Sequence, residues 1–328
     1  MNRRHLGQGL DVSALGLGCM GMSEFYGDHD DAESLRVLNR AADLGITFLD
    51  TADMYGPHHN ERLLGTFLKQ RGRAGFEVAT KCGIVRTDDP MARSLNSRPD
   101  YIRAACDASL QRLGIERIDL YYLHRYDGET PIEDVMGAFA DLKAAGKIAH
   151  VGLSEVKAET LRAAHAVHPV TALQTEYSLW TRDVEAEVLP ACRALGIGFV
   201  PYSPLGRGYL TGAFTADTAL SADDFRAHLP RFQGAARDRN QAIVDVVRAI
   251  ADEAGATPAQ VAIAWVLSRG EHIVPIPGTK RVRYLEDNVA ALTVSLSGDM
   301  MRTLDALMET HPVAGARYTP VGMATVDG

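Results

Sequence analysis

The sequence predicts an α/β fold in which eight parallel strands close into a (β/α)8 TIM barrel. Three observations predict it: short apolar runs alternate with segments of helical spacing, eight such runs are present, and several helical segments end in Gly just before the next run. Strands that alternate with helices indicate parallel βαβ units, and eight units favour a closed barrel over an open sheet. Such a barrel occupies about 250 residues, and more with insertions, so residues 1–328 are expected to form one domain.

The predicted strands are short apolar runs separated by segments with the 3.6-residue spacing of amphipathic helices. Helical spacing is clearest in residues 32–45, 101–114, 132–146 and 240–255. Gly residues just before a strand are typical of a helix C-cap followed by a turn, and they occur at 45, 114, 146 and 196. The eight runs are SALGLG (13–18), ITFLD (46–50), FEVATK (76–81), RIDLYYLH (117–124), KIAHVGLS (147–154), VTALQT (170–175), IGFVPYS (197–203) and HIVPIP (272–277).

Three segments depart from the regular alternation. Residues 5–13 place two short segments around a Gly, which predicts an N-terminal β-hairpin closing the bottom of the barrel. Residues 261–270 predict an extra buried helix ahead of the last strand, the first of the additional C-terminal helices. Residues 205–238 form a long stretch that is polar in parts, and a loop of that length in a compact domain is usually a lid or disordered. We expect its residues 210–235 to be mobile without a ligand, because few apolar side chains anchor them.

Composition excludes several classes of function. A net charge of −8 and a pI near 5.8 argue against a nucleic-acid-binding protein, which needs a basic face. The first 13 residues lack the apolar segment of a signal peptide, and no run of about 18 apolar residues predicts a membrane span. The four cysteines are far apart and form no CxxC pair, so reduced thiols and a cytoplasmic location are expected.

Four residues at or near predicted strand ends suggest a catalytic site: Asp50, Tyr55, Lys81 and His124. Each alone has an ordinary structural explanation, such as a turn cap or a half-buried polar group. Together they suggest chemistry, because a nearby ammonium favours a phenolate and should lower the pKa of Tyr55, making it a usable proton donor. A carboxylate paired with Lys81 would keep the ammonium charged, and an imidazole beside them can hold a carbonyl oxygen.

Seven dispersed segments resemble the aldo-keto reductase family, in the family's order and across roughly residues 4 to 310. The resemblance implies a barrel that binds NADPH without a Rossmann domain and reduces a small-molecule carbonyl substrate. It implies that Tyr55 donates the proton, that Asp50 and Lys81 assist it, and that His124 orients the carbonyl. The segments are FLDTADMYG, EVATKCG, IDLYYLHRYD, KIAHVGLSE, ALQTEYSLW, VPYSPLGRGYLTG and PIPGTK.

The resemblance also implies residues that bind the nicotinamide end of the cofactor. Ser154 and Gln174 match the pair that contacts the carboxamide, and Tyr202 matches the aromatic residue that stacks under the ring. Many family members have Asn after that serine, whereas this chain has Glu155. A carboxylate can accept from the carboxamide nitrogen but cannot donate to its oxygen, so Glu155 cannot make a donating third contact.

Two turns are expected to hold the phosphate groups. The turn SPLGRG (203–208) is expected to expose the amides of its two glycines to the pyrophosphate. The segment that opens with GTKR (278–281) follows the last strand, with Thr279 as N-cap of a helix and a basic cluster suited to a 2′-phosphate, which favours NADPH over NADH. Either turn alone is also explained without a ligand. The expected cofactor residues in these segments are Ser203, Leu205, Gly206, Arg207, Gly278, Thr279, Lys280, Arg281, Asp287 and Asn288, with Arg283 as a further candidate for the 2′-phosphate.

No metal site is expected. The histidine pairs at 58–59 and 165–168 are not accompanied by a carboxylate or cysteine cluster in the sequence. GLGCMG (16–21) satisfies the GxGxxG pattern, but no helix opens directly after it, so a substrate-pocket loop is favoured over a dinucleotide fingerprint.

Two alternatives to a carbonyl reductase stay open at the level of sequence. One is a redox-sensing regulatory subunit of low turnover, resembling the potassium-channel β subunits of the same family. The other is a barrel isomerase or lyase that acts without nicotinamide. Whether the chain is a monomer or a homo-oligomer is also open.

Overall fold

The computed structural model describes residues 1–86, 93–214, 218–221 and 224–327. Its strands are short and lie mostly in the regions predicted from the apolar runs. In chain order they are β1 (Arg3–His5), β2 (Asp11–Ser13), β3 (Leu17–Gly18), β4 (Phe48–Asp50), β5 (Glu77–Cys82), β6 (Ile84–Arg86), β7 (Arg93–Leu95), β8 (Ile118–Leu123), β9 (Ile148–Ser154), β10 (Ala172–Glu176) and β11 (Gly198–Tyr202).

The central sheet is parallel, and residues 272–277 close it into a barrel. Its order within the described residues is β3-β4-β5-β8-β9-β10-β11. At one edge the amides of Val274 and Ile276 donate to carbonyls of β11, at 2.9 and 3.1 Å. At the other edge the amides of Gly16 and Gly18 donate to the carbonyls of Pro275 (3.0 Å) and Pro277 (3.4 Å). Proline has no amide hydrogen, so Pro275 and Pro277 accept hydrogen bonds here but cannot donate any. The predicted (β/α)8 barrel is confirmed.

Helices surround the barrel. Helix α1 shows how the sequence forms them: the Asp30 side chain accepts a 3.0 Å hydrogen bond from the Glu33 amide at its start, and it buries Val37, Leu38 and Ala41 at helical spacing. The helices are α1 (Asp31–Asp43), α2 (His59–Arg71), α3 (Pro99–Leu113), α4 (Ile132–Ala144), α5 (Ala158–Val167), α6 (Val188–Leu195), α7 (Gly234–Ala254), α8 (Pro258–Leu267), α9 (Val282–Ala290), α10 (Gly298–Asp305), α11 (Leu307–Thr310) and α12 (Pro320–Met323).

The N-terminal hairpin closes the bottom of the barrel, as predicted. Strands β1 and β2 pair antiparallel, and Leu6, Leu10 and Val12 join the cluster of apolar side chains inside the barrel. Gly7 makes this approach possible, because a Cβ there would lie 2.5 Å from the Gly196 carbonyl oxygen, and its φ of +100° also favours glycine.

The loop after β11 differs from the expectation. Residues 215–217 and 222–223 of the predicted mobile segment lie outside the described residues. In the described part, Leu229 and Phe232 are buried, and the Phe225 ring packs edge-to-face on Phe25 at 5.6 Å. The expectation that few apolar residues anchor this loop is therefore wrong for its described part. Mobility before ligand binding stays a prediction.

A further hairpin, β6 with β7, was not predicted from the sequence. The predicted buried helix at 261–270 is present as α8, which begins three residues earlier because Thr257 and Gln260 form a capping box. Within the part of the chain that the structure describes, no helix is both long and apolar enough to cross a membrane.

Candidate active site

Asp50, Tyr55, Lys81 and His124 converge at the carboxyl ends of neighbouring strands, as predicted from their places in the sequence. The Lys81 ammonium donates to Asp50 Oδ1 at 2.5 Å, and its Nζ lies 3.5 Å from the Tyr55 hydroxyl oxygen. The rings of Tyr55 and His124 meet edge-to-face, with centroids 5.7 Å apart. All four residues are buried, Lys81 completely.

Backbone hydrogen bonds place Tyr55 and His124 against β5. The turn after β4 is tied to that strand by the Asp53 amide, which donates to the Lys81 carbonyl oxygen at 3.1 Å. The His124 amide donates to the Cys82 carbonyl oxygen at 2.7 Å. A phenol, an ammonium and an imidazole are therefore held against one strand of the barrel by backbone hydrogen bonds.

Lys81 and Asp50 depend on each other for their charges. Burial raises the pKa of Asp50 and lowers that of Lys81, and the ion pair between them acts against both changes. The ammonium also donates to the Thr51 carbonyl oxygen at 2.8 Å, and Asp50 Oδ2 accepts from the Gln174 amide nitrogen at 2.8 Å. The pair is thus fully hydrogen-bonded, which is how a buried ion pair is retained.

The expected lowering of the Tyr55 pKa is not found. Burial, followed by the Asp50 carboxylate, raises the pKa of Tyr55 well above 10, because both disfavour a phenolate. The effect of the nearby ammonium, on which that expectation rests, is outweighed by desolvation of the phenol and by the counter-ion of the ammonium. Tyr55 is accordingly a protonated phenol at neutral pH.

His124 is a neutral imidazole. Burial and the nearby cations Lys81 and Arg125 hold its pKa well below 6.5. Its Nδ1 is buried and has no hydrogen-bond partner among the described residues. A neutral imidazole can donate from one nitrogen to a carbonyl oxygen without adding a charge.

The three residues expected at the nicotinamide end lie beside this group. Gln174 reaches Asp50 directly, and the Ser154 hydroxyl oxygen lies 3.5 Å from Arg125 Nη1. Tyr202, at the end of β11, is half-buried and donates its hydroxyl to Glu155 Oε1 at 2.7 Å. The structure therefore brings together the catalytic and nicotinamide-end candidates.

Glu155, the residue that departs from the family pattern, is fully engaged inside the protein. Arg317 donates to both of its carboxylate oxygens, at 2.9 and 2.6 Å, and the Glu176 amide donates to it at 3.0 Å. Burial acts against the charge, but Arg125 and Arg317 outweigh it and lower the Glu155 pKa. This carboxylate anchors the C-terminal segment, residues 317–327, to the barrel mouth.

The C-terminal segment contributes a second aromatic residue to the mouth. The Tyr318 hydroxyl lies 2.7 Å from that of Tyr202, and the Arg207 guanidinium lies 5.0 Å from the centre of the Tyr318 ring. Sequence reasoning missed Arg317 and Tyr318, which follow the region of family resemblance. It also missed Arg125, although LHRYD places this cation directly after His124.

The turn after β11 has the backbone of a specialised turn but not the free amides that were expected. Its φ angles are positive at Ser203, Gly206, Arg207 and Gly208. The amides of Gly206 and Gly208 donate to the carbonyl oxygens of Ser203 (2.9 Å) and Leu205 (3.0 Å), so the expectation that they are exposed is wrong for this structure.

Arg207 in that turn is buried and paired. Its guanidinium donates to Glu176 Oε2 at 2.7 Å, and that carboxylate raises its pKa against the effect of burial. Gly206 lies against Trp180, where a Cβ would be 2.7 Å from the indole. The turn is held to the barrel by these two contacts.

The turn after residue 277 also differs in detail. Thr279 is not the N-cap of α9: Arg281 occupies that position, and the Thr279 hydroxyl accepts from the Arg281 amide at 3.2 Å. Lys280 donates to the carbonyl oxygens of Tyr26 (2.6 Å) and Asp28, whereas Arg281 is exposed. Gly278 pairs with Gly18 at the closing edge of the barrel.

Two further cofactor candidates lie on α9. Asp287 accepts from the Thr257 hydroxyl at 3.1 Å and from the Gln260 amide nitrogen at 2.7 Å, which holds the start of α8. Asn288 is buried. In this structure Asp287 therefore has a structural role in joining two helices.

Comparisons with known proteins agree with this geometry. A model of the aldo/keto reductase family matches residues 14–309. The chain is 46% identical over 312 residues to probable aldo-keto reductase 1 of Glycine max, covering 95% of this chain and 90% of that protein.

Solved structures share the fold. The glycerol dehydrogenase AKR11B4 from Gluconobacter oxydans superposes with a TM-score of 0.87 at 28% identity, covering 97% of this chain and 98% of that one. The thermostable aldo-keto reductase Tm1743, solved with the inhibitor epalrestat, gives a TM-score of 0.76 at 29% identity, covering 94% and 100%.

Proposed function

This chain belongs to the aldo/keto reductase family of oxidoreductases, whose members use nicotinamide cofactors, and from that premise we propose that it reduces a small aldehyde or ketone with NADPH. One observation carries the proposal. A buried phenol, that of Tyr55, lies 3.5 Å from an ammonium that is itself paired with a carboxylate, at the strand end where barrel enzymes hold their active sites.

The residues at the nicotinamide end fit such a cofactor. Tyr202 offers a half-buried ring at the mouth, and Ser154 and Gln174 offer a hydroxyl and a carboxamide beside the catalytic group. When bound, the cofactor supplies the hydride. At the phosphate end the fit needs rearrangement, because Arg207 is paired with Glu176 and the Gly206 amide is already bonded.

Tyr55 is proposed as the general acid. Its raised pKa keeps the phenol protonated, which is the form that donates. An alkoxide is a stronger base than a phenolate, so proton transfer from Tyr55 to a developing alkoxide is favourable even from a phenol with a raised pKa. The Lys81 ammonium, held by Asp50, would stabilise the phenolate left behind.

His124 is proposed to orient the carbonyl oxygen. A neutral imidazole donates one hydrogen bond without competing with Tyr55 for the proton, and the low pKa of His124 keeps it neutral. Burial of both side chains excludes water, so the hydrogen bonds to the reacting oxygen are stronger than in bulk solvent.

NADPH is proposed over NADH because of the turn after residue 277. Arg281 is exposed at the start of α9, where the helix dipole also favours an anion, and Lys280 lies next to it. A 2′-phosphate would have to compete with the carbonyl oxygens of Tyr26 and Asp28 for Lys280. Arg281 is therefore the better placed of the two to discriminate between the cofactors.

A cytoplasmic location and a small-molecule partner are part of the same proposal. All four cysteines, Cys19, Cys82, Cys106 and Cys192, are free and buried, which suits a reducing compartment.

The test is reduced-nicotinamide oxidation by purified protein against aldehydes, ketones, sugars and pyridoxal-type compounds. Glyceraldehyde and dihydroxyacetone belong in the panel because one structural neighbour is a glycerol dehydrogenase. We expect carbonyl-dependent oxidation of NADPH, faster than of NADH at equal concentration. Tight NADPH binding with negligible turnover across the panel would favour the regulatory-subunit alternative instead. Activity that needs no nicotinamide would favour an isomerase or lyase.

A further inference from the structure

We propose that His29, Asp31 and His59 form a binding site for one divalent transition-metal ion, of which Zn²⁺ is the representative, separate from the reductase site. The three side chains offer two imidazole nitrogens and one carboxylate oxygen that all lie within 4.8 Å of one another. Among the residues that the structure describes, no other three His, Cys, Asp or Glu side chains come together in this way.

The spacing is close to what a tetrahedral ion needs. Zinc binds nitrogen and oxygen ligands at about 2.0–2.2 Å, so two ligands on one ion are about 3.5 Å apart. His59 Nε2 already lies 3.2 Å from Asp31 Oδ1. The His29 ring centroid lies 5.1 Å from that of His59, its ligand nitrogen lies within 4.8 Å of the other two ligand atoms, and its side chain is exposed.

His59 is oriented as a metal ligand would be. Its Nδ1 lies 2.8 Å from the Ser23 hydroxyl oxygen, which leaves Nε2 directed at Asp31. Metal-binding histidines almost always use their second nitrogen in this manner, because that bond fixes the tautomer and the ring. Ser23 is fixed in turn, since the Asn60 side-chain amide, Nδ2, donates to its hydroxyl oxygen at 2.7 Å.

The ligand set suits borderline divalent ions. Two imidazoles and a carboxylate are the ligands of many zinc sites, and the partial exposure of all three leaves a fourth position for water. The sequence argument against metal relied on the absence of a carboxylate near the histidine pairs. That premise is wrong for His59, because the fold brings Asp31 to it from 28 residues away.

An ion here would brace one wall of the barrel mouth. It would join the segment 23–31 to the start of α2. In that segment Phe25 packs against the cluster of Ala52, Met54 and Tyr55 and on the Phe225 ring. The Tyr26 carbonyl oxygen in the same segment accepts from Lys280. The ion should therefore stabilise this wall of the barrel mouth, because it joins segment 23–31 to α2, without taking part in the proposed reduction.

The test uses the full chain, freed of metal with a chelator and titrated calorimetrically with Zn²⁺. We expect one Zn²⁺ per chain, a rise in the melting temperature on saturation, and tetrahedral visible absorption bands when Co²⁺ is used instead. His29→Ala, which removes an exposed ligand and should not affect folding, should weaken binding at least about tenfold. Ser23→Ala should weaken it by about 10–100-fold although all three ligands remain.

His58→Asn is the matched control, since His58 neighbours the site, is exposed, and has a φ of +66° that Asn tolerates. It should bind Zn²⁺ as the unaltered chain does. The proposal is overturned if no saturable binding occurs, if binding survives His29→Ala, or if it is lost equally in His58→Asn. Reductase activity is not used as a readout, so the result does not depend on the proposed function.

Discussion

At the residue scale, the proposed reaction depends on one buried ion pair, that of Lys81 and Asp50. Burying two charges costs several kcal/mol per ion, and removing one partner of such a pair typically destabilises a protein by about 3–5 kcal/mol, because the other charge is left buried and unpaired. The cost of burying Lys81 and Asp50 is offset by their ion pair and by one further hydrogen bond each. The ammonium donates to the Thr51 carbonyl oxygen, and the carboxylate accepts from the Gln174 side-chain amide. The pair is thus held in a fixed position next to the Tyr55 hydroxyl, with the Lys81 Nζ 3.5 Å from its oxygen.

The pKa directions at Tyr55 and His124 predict a broad pH plateau. In the proposed mechanism His124 acts as a neutral imidazole, and its pKa lies well below 6.5, so lowering the pH to 6.5 does not protonate it. In the proposed mechanism Tyr55 acts as a protonated phenol, and its pKa lies well above 10, so raising the pH to 10 does not ionise it. The measurement is kcat/KM for NADPH against pH, because this ratio reports groups of the free enzyme.

We expect no limb from either residue between pH 6.5 and 10 in that profile. Circular dichroism across the same range controls for unfolding. A limb with an apparent pKa near the ordinary value of histidine, absent in His124→Asn, would contradict the account of that residue.

At the element scale, the C-terminal segment completes the mouth that the strands begin. Glu155 at the end of β9 binds Arg317, and Tyr202 at the end of β11 meets Tyr318. The Asp327 amide donates to the Glu155 carbonyl oxygen at 3.1 Å, so residues 317–327 are bound to Glu155 at both of their ends. Tyr202, the ring proposed to stack on nicotinamide, is positioned by this contact.

Arg317→Met should lower the free energy of unfolding by about 3–5 kcal/mol, because it leaves the Glu155 carboxylate buried without its partner. It should also weaken NADPH binding, since Tyr202 loses a fixed neighbour. The measurements are urea unfolding and NADPH titration. Arg302→Met, at an exposed pair with Asp299, is the control and should cost less than about 1 kcal/mol.

A double-mutant cycle with Glu155→Gln tests whether the two side chains act as a unit. The double variant should lose clearly less free energy of unfolding than the sum of the losses in the two single variants, because each single change already removes the ion pair. Losses that add to within about 0.5 kcal/mol would refute the coupling.

The start of α9 should discriminate between the cofactors. Changing Lys280 and Arg281 together to Ala should weaken NADPH more than NADH, because charge-assisted hydrogen bonds to a phosphate contribute about 1.5–3 kcal/mol each. Arg281→Ala alone should account for most of the effect, since Lys280 is held by carbonyl oxygens. Dissociation constants for both cofactors give the ratio.

Arg283→Ala is the neighbouring control, because its guanidinium lies over the Tyr284 ring at 4.4 Å. A ratio that is unchanged in the double variant, or changed in the control, would show that Arg281 does not bind the 2′-phosphate.

The sequence predicted the strands well and the turns poorly. Apolar runs locate β5 and β8 to within a few residues, because burial on both faces gives a continuous signal. Turns depend on which amide reaches which oxygen, so Thr279 was mistaken for a cap and the Gly206 amide for a free donor. The hairpin of β6 and β7 has half-exposed residues and only a weak pattern.

At the scale of the whole molecule, the barrel is closed by segments from both ends of the chain. Residues 272–277 bond to β3 and β11, and the N-terminal hairpin closes the bottom through a 2.6 Å bond from the Gly198 amide to the Leu6 carbonyl oxygen. The large apolar cluster between sheet and helices runs from Leu17 to Leu307. Both observations favour the expectation that residues 1–328 act as one domain.

Urea unfolding should therefore give one transition. Tryptophan fluorescence reports Trp180 and Trp265, both in the second half of the chain, whereas far-ultraviolet circular dichroism reports all helices. The two curves should coincide. Leu6→Ala should lower the free energy of unfolding obtained from both by about 2–5 kcal/mol, because Leu6 is fully buried. The exposed control Val321→Ala should change little. Two separate midpoints would show a second folding unit.

Long-range contacts limited what the sequence predicted about the site. The convergence of Asp50, Tyr55, Lys81 and His124 could be predicted because parallel strand ends meet at one edge. The contacts of Arg317 and His29 could not, since their partners lie 162 and 30 residues away and nothing local marks the contact. The pKa of Tyr55 was misjudged for the same reason, because burial is a property of the whole fold.

The most direct test of the central claim is Tyr55→Phe, measured for both carbonyl reduction and NADPH binding. Loss of the general acid should lower kcat by roughly 10²–10⁴, while the NADPH dissociation constant changes little. Tyr126→Phe, whose hydroxyl donates to the Thr130 carbonyl oxygen, is the matched control and should retain activity. A Tyr55→Phe protein that keeps half of the original kcat would contradict the account.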